Sequence, residues 1–155
     1  ITVAVNTDYT IANSAITSPA YSYGANPLGW PGWFTFDPTF ANTTLGSGTE
    51  TGRYALVGRL AYVFQRWSFG AGSAVSGSVT VANPVPLVWL IASHVVLVDA
   101  SAAYCVGTLV QGASTCTIQA INSSATYATL SSLSSTVPFT WTTSDAMYVG
   151  LVYEW

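Results

Sequence analysis

The feature that most constrains this chain is the apolar run at residues 86–100, PLVWLIASHVVLVDA, in which only Ser93 and His94 are polar between Leu87 and Val98. It is too short for a membrane span, which needs about 20 apolar residues. Continuous apolar character with many β-branched residues is typical of a strand covered on both faces. We therefore predict a central buried strand here, with the rest of the chain folded around it.

The remaining segments also favour strands over helices. Alternating or β-rich stretches occur at residues 53–69, 78–81, 137–143 and 147–155, and residues 102–121 have the pattern of a hairpin. Short strands at roughly regular spacing predict an all-β fold, a single β-sandwich or jelly roll. Strict alternation of Ile1, Val3 and Val5 adds an extended N-terminal strand, so the expected organisation is a strand at residues 1–12 and a body at residues 13–155.

Residues 19–48 differ in composition from the rest of the chain, with four prolines, several glycines and a dense aromatic group around Trp30 and Trp33. Proline and glycine at this frequency interrupt regular structure, so we predict a long ordered loop packed by its own rings. The two tryptophans suit either a hydrophobic lid over one end of the fold or a surface on which sugar rings stack.

Charged residues are unusually rare, at 6% of the chain against about 25% in an ordinary domain. Lysine is absent, and Arg53, Arg59 and Arg66 are the only formal cations in a chain of net charge −3. This balance makes a nucleic-acid partner improbable. A surface so poor in charge favours either packing against other copies or covering by glycans, for which Asn42 and Asn122 begin acceptor tripeptides.

Two cysteines, Cys105 and Cys116, flank the centre of the predicted hairpin. Ten residues lie between them, which allows them to face each other across it, so we expect a disulfide. A disulfide indicates an oxidising exterior. The first residue, Ile1, is not methionine, which together with the cysteines predicts a secreted chain whose signal peptide has been removed.

No catalytic motif is present, and the sequence predicts neither an enzyme nor a metal or other cofactor. The six acids are spread singly, so no glycosidase-like carboxylate pair follows from their spacing. His94 within the apolar run is interpreted as a hydrogen-bonded core residue, and Ser93 beside it points to the opposite face of a strand.

Taken together, the length, the low charge, the alternating Ile1, Val3 and Val5 and the all-β body resemble the donor-strand filament subunits of archaea. These are the bundling-pilus and thread proteins, related in fold to TasA-like biofilm fibres. The resemblance implies an extracellular filament for adhesion or biofilm formation, in which Ile1, Val3 and Val5 of one copy complete the sheet of the next.

Two alternatives remain open from the sequence. One is a viral jelly-roll coat or decoration protein, which forms closed shells. The other is a secreted carbohydrate-binding module, which is monomeric and binds sugar through Trp30 or Trp33.

Overall fold

The computed structural model describes residues 32–100, 103–112, 115–123 and 127–155. Strands are the regular elements of this part of the chain, which contains no helix, so the all-β prediction is confirmed. None of the described residues forms a helix with the length and apolar character that a membrane crossing requires. The strands are β1 (Phe34–Phe36), β2 (Phe40–Thr44), β3 (Thr49–Val57), β4 (Leu60–Ser68), β5 (Ala74–Ala82), β6 (Trp89–Asp99), β7 (Ala103–Gln111), β8 (Thr115–Asn122), β9 (Thr129–Ser132) and β10 (Ala146–Glu154).

All ten strands belong to one antiparallel sheet, in the order β1-β3-β4-β10-β6-β7-β8-β5-β2, with β9 paired to β8 beside this path. The two end strands, β1 and β2, are consecutive in the chain and joined only by residues 37–39. Four Cα–Cα steps reach at most about 15 Å, whereas eight strand spacings of a flat sheet cover about 38 Å. The sheet must therefore curl until its ends approach each other, which is compatible with the predicted sandwich or jelly roll.

Near the middle of the sheet, β10 pairs with β4 on one side and with the central strand, β6, on the other. The predicted strand at residues 147–155 is confirmed, and the alternating side chains of Met147, Val149, Leu151 and Tyr153 are all buried. They pack inside the curl against the buried residues of β4, β5, β6 and β8. We call this side of the sheet the core face and the opposite side the outer face.

The predicted central strand is confirmed as β6, but its expected burial on both faces is wrong. Val95 and Leu97 are fully buried, whereas Trp89 and Ile91 keep 67% and 55% of their surface exposed. His94 also lies exposed on the outer face, so its interpretation as a core residue is corrected. The apolar run is continuous because both faces carry apolar residues, although the described chain covers only one of them.

Residues 53–69 form a hairpin rather than one long strand. Val57 pairs with Leu60, which leaves Gly58 and Arg59 as a two-residue loop between β3 and β4. Gly58 has a φ of 60°, and positive φ at the first loop position is the requirement of a type II′ hairpin turn that glycine meets without a steric penalty. Gly58 is therefore a turn residue.

One segment predicted to be a loop contains strands, and one segment predicted to be a strand is irregular. The described portion of the predicted loop at residues 19–48 contains β1 and β2, whereas residues 137–143 form no strand. In that second segment Trp141 stacks on Phe69 with ring centroids 4.8 Å apart, and Phe139 packs against Trp141 at 4.6 Å. These rings close one end of the core. Alternation in this segment had predicted a strand instead.

A buried carboxylate holds the same loop in place. Asp145 accepts hydrogen bonds from the backbone N–H of Ala100 (2.9 Å) and of Thr142 (2.5 Å). It thereby joins the end of β6 to the turn that precedes β10. Such charge-assisted bonds to backbone donors compensate for the burial of the carboxylate.

Candidate functional site

A concave site lies on the outer face, where β3, β4, β6 and β10 run side by side. It is an open cleft with a volume of about 460 Å³, which is within the range of small-ligand sites. Its lining combines two arginines, a histidine, two ring systems and two hydroxyl side chains. These are Arg53, Arg66, His94, Phe64, Tyr148, Thr35 and Thr51, with Gly52, Gln65 and Val149 completing the wall.

The strand register explains why these residues meet. Arg53 lies opposite Phe64, and Phe64 lies opposite Gly150. Gly150 in turn lies opposite His94, so one lateral row crosses four strands. The neighbouring row places Arg66 opposite Tyr148. Residues that are opposite or diagonal on one face are close enough to interact.

The two guanidinium groups in the cleft lie against aromatic rings. Arg53 is 5.0 Å from the ring centroid of Trp33 and 5.5 Å from that of Phe64, and Arg66 is 5.3 Å from that of Tyr148. A cation over a ring face at these distances is attracted by the ring quadrupole. The contacts restrain both side chains while their N–H groups remain available to another partner.

The third arginine is arranged differently. Arg59, in the β3–β4 turn, forms an ion pair of 2.8 Å with Glu154. Neither Arg53 nor Arg66 forms an ion pair with any carboxylate of the described residues. Within the described residues, the cleft therefore places two arginines without an ion-pair partner on the surface of an acidic chain.

A second feature of the outer face is an uncharged apolar surface over β6, β7, β8 and β9. Val96 lies opposite Val106, and Ile121 lies opposite Leu130. Val106 keeps 61% of its surface exposed, and Ile121 and Leu130 are also exposed. The outward positions of these strands include no Asp, Glu, Lys or Arg; they are His94, Val96, Val98, Tyr104, Val106, Thr108, Val110, Thr115, Thr117, Gln119, Ile121, Leu130 and Ser132.

A third feature is an open seam between β6 and β7. Their backbone ladder runs from Asp99↔Ala103 to Val95↔Gly107 and then stops, although both strands continue. Beyond that point side chains replace the ladder. The Gln111 amide accepts from Leu90 N–H (2.8 Å) and donates to Val88 C=O (3.1 Å).

The cysteines do not form the predicted disulfide, since both thiols are free. Cys116 lies opposite Gln111, which is six residues along β7 from Cys105. Six strand residues span about 20 Å, far beyond the Cα separation that a disulfide allows. Burial raises the pKa of both thiols, which keeps them protonated at neutral pH.

Both predicted glycosylation positions lie on the surface. Asn42 sits at an irregularity of β2 with a φ of 59°, and its side-chain amide donates to the carbonyl of Ser78 at 2.7 Å. Asn122 ends β8 and is exposed. An attached glycan at Asn42 would need to keep or replace the bond to Ser78.

The structure brings together one acidic pair that spacing did not predict. Burial raises the pKa of Glu50, and the nearby charge of Asp37 raises it further. Glu50 is opposite Trp67, so strand alternation directs it to the face opposite Arg53. Among the described residues no group of three or more His, Cys, Asp or Glu side chains is placed to hold a metal ion.

The donor residues Ile1, Val3 and Val5, together with Trp30, lie outside the described residues. Trp33 is described; it does not line the cleft, but its ring lies against the Arg53 guanidinium.

Comparison with known proteins identifies no relative. No family model matches the chain, and neither a curated protein nor a solved structure matches it significantly.

Proposed function

We propose that this protein is a structural subunit of an extracellular filament. Each copy donates its N-terminal strand, through Ile1, Val3 and Val5, to the next copy in a head-to-tail homopolymer. A joint of this kind uses two different surfaces on each molecule and does not close, so it grows linearly. The filament serves adhesion or biofilm formation.

The observation that carries the proposal is the open seam between β6 and β7. Where the ladder stops, Leu109 N–H donates to the side chain of Ser93 at 3.3 Å instead of to a strand backbone. Val88, Trp89 and Ile91 beside it are exposed. A strand edge with replaceable side-chain bonds and adjacent apolar residues is what an added strand requires.

The N-terminal sequence fits this acceptor chemically. Ile1, Val3 and Val5 alternate with the small or polar Thr2 and Ala4, so one face of an extended donor is apolar. Backbone groups of the donor would replace the Gln111 amide bonds at Leu90 and Val88, while its apolar face would cover the exposed residues of β6.

The uncharged outer surface supports packing among copies. Contiguous exposed apolar residues are uncommon on monomeric proteins and mark surfaces that contact a partner. In this chain that surface has no formal charge to keep copies apart. In a homopolymer, this surface would be covered by neighbouring subunits or by neighbouring filaments.

Negative-stain electron microscopy of two matched variants tests the donor. Ile1→Ser/Val3→Ser/Val5→Ser is expected to abolish filaments, because the apolar face of the donor is lost. Thr2→Ser/Ala4→Ser, which changes the opposite face of the same segment, is expected to polymerise normally. Filaments from the first variant, or from a chain lacking residues 1–8, would overturn the proposal.

The acceptor is tested in the same assay. Ile91→Asp places a charge at the seam and should prevent polymerisation, whereas Val57→Asp introduces the same charge at an equally exposed position on β3 and should not. Equal effects of the two variants would exclude the seam. Closed shells in the wild-type images would instead support the coat-protein alternative and contradict the filament.

A further inference from the structure

We propose that the outer-face cleft is a binding site for an acidic polysaccharide, with the carboxylate of a uronate unit held by Arg53 and Arg66. This inference is independent of polymerisation, because it concerns a site that each subunit carries on its own. Three properties of the cleft lead to it: the state of its arginines, the chemistry of its walls and its open shape.

The state of the two arginines favours an anionic ligand. Both guanidinium groups are exposed and lack ion pairs with the described carboxylates, although the acids outnumber the cations by six to three. Ring contacts restrain each group before any ligand arrives. A planar guanidinium held in this way matches the two oxygens of a carboxylate and loses little side-chain freedom on binding.

The walls fit a sugar ring better than a simple anion. Thr35 and Thr51 contribute hydroxyl groups and His94 contributes an imidazole, and these groups exchange hydrogen bonds with sugar hydroxyls. The partly exposed rings of Phe64 and Tyr148 offer apolar surface to the C–H faces of a pyranose. A bare inorganic anion would use the arginines and leave the remaining walls without a partner.

The open shape favours a polymer over an enclosed metabolite. Arg53, Arg66 and His94 are all exposed residues of an outer sheet face, so a chain can continue past the cleft in both directions. The occupant that combines a carboxylate, ring hydroxyls and a continuing chain is a uronate-containing polysaccharide.

Calorimetric titration with oligogalacturonate tests the proposal on the full chain. We expect the wild type to bind it, and to bind a neutral oligosaccharide of the same length at least tenfold more weakly. Affinity should fall as salt increases, since the contact is between charges. Failure of the wild type to bind, or equal affinity for the neutral oligosaccharide, would overturn the proposal. Tighter binding of inorganic phosphate or of poly-glutamate would overturn it as well, in favour of another anion.

Four arginine variants locate the site. Arg53→Gln and Arg66→Gln should each weaken binding about tenfold or more, because each removes a charge-assisted contact. Arg59→Gln is the matched control, since it removes the same charge from the turn of the same hairpin, and it should change affinity less than twofold. Arg53→Lys, which retains the charge without the planar fork, should give an intermediate loss. An equal loss in Arg59→Gln would assign binding to net charge and not to the cleft.

Thermal unfolding of each variant separates loss of binding from loss of fold. Polymerisation provides a second separation, because Arg53→Gln should still form filaments while Ile1→Ser/Val3→Ser/Val5→Ser should still bind oligogalacturonate.

Discussion

The imidazole of His94 lies directly over the Cα atom of Gly150. A Cβ atom built on Gly150 would be 2.6 Å from Nδ1 and 2.7 Å from Nε2 of His94, and closer still to Cε1. Because residue 150 has no side chain, the ring reaches across β10 toward Phe64, with ring centroids 6.3 Å apart. The glycine thus sets the position of one wall of the cleft.

Gly150→Ala should displace this ring without unfolding the protein. His94 is an exposed side chain, so its ring can move toward solvent and we expect the free energy of unfolding to change by less than about 1 kcal/mol. The chain has a single histidine, so its ring protons give one NMR signal set, and this set should shift. Gly77→Ala, where the added carbon meets nothing within 4 Å, is the control that should leave it unchanged. An unshifted spectrum in Gly150→Ala would contradict the arrangement.

Two tryptophans of the sheet, Trp67 and Trp89, should differ sharply in their contribution to stability. Trp67 is fully buried, with Phe69 stacked on it at 4.1 Å, so Trp67→Ala should cost about 3–5 kcal/mol. Trp89 is two-thirds exposed, and Trp89→Ala should cost less than about 1 kcal/mol. Urea denaturation measures both, and similar midpoints for the two variants would refute the assigned core.

Replacing the buried carboxylate tests the loop that precedes β10. Asp145→Asn retains the shape but turns one acceptor oxygen into a donor facing the N–H of Ala100 or Thr142. We expect a loss of about 1–3 kcal/mol in unfolding free energy. Asp37→Asn, at an exposed acid, should be neutral or slightly stabilising because it removes repulsion on Glu50. The prediction is wrong if denaturation shows the two variants to be equally stable.

The buried hydroxyl group of Tyr153 leads us to expect that the protein loses stability in alkali. Burial raises the pKa of its hydroxyl to about 12 from the usual 10, and the hydroxyl donates to Val85 C=O at 3.1 Å. Between these two values the unfolded chain has released the proton while the folded chain retains it, so unfolding releases a proton and rising pH favours it. The contribution is complete below pH 10 and declines from there through pH 12.

Tyr153→Phe provides the comparison. The variant lacks this proton, so its unfolding free energy, measured in urea at pH 8, 10 and 11, should fall less steeply above pH 10 than that of the wild type. Parallel pH dependence of the two proteins would contradict the assigned pKa.

Sequence patterns predicted the elements whose signal is local. The alternation of Met147, Val149, Leu151 and Tyr153 predicted a strand with these four side chains on one face, and that face packs in the core. The length of the run in β6 gave a strand but not its exposure, since apolar residues on an outer face look the same in sequence as apolar residues in a core.

The predictions that were wrong or missing depend on the register between paired strands. The cysteines would face each other only if the hairpin turned midway between them, whereas the pairing of Gln111 with Cys116 shows that it turns close to Cys116. The cleft was missed for the same reason. Arg53, Arg66 and His94 lie on three strands, and nothing in the linear sequence states that β10 brings β4 and β6 to its two sides.

The three residues that join β1 to β2 determine more than local geometry. Because these strands end the pairing order of the sheet, their short link fixes the circumference of the curl by covalent chain length as well as by packing. The sheet cannot be flattened without breaking pairs of β1 or β2. The curvature of the sheet is therefore determined within each molecule and does not depend on contact with another copy.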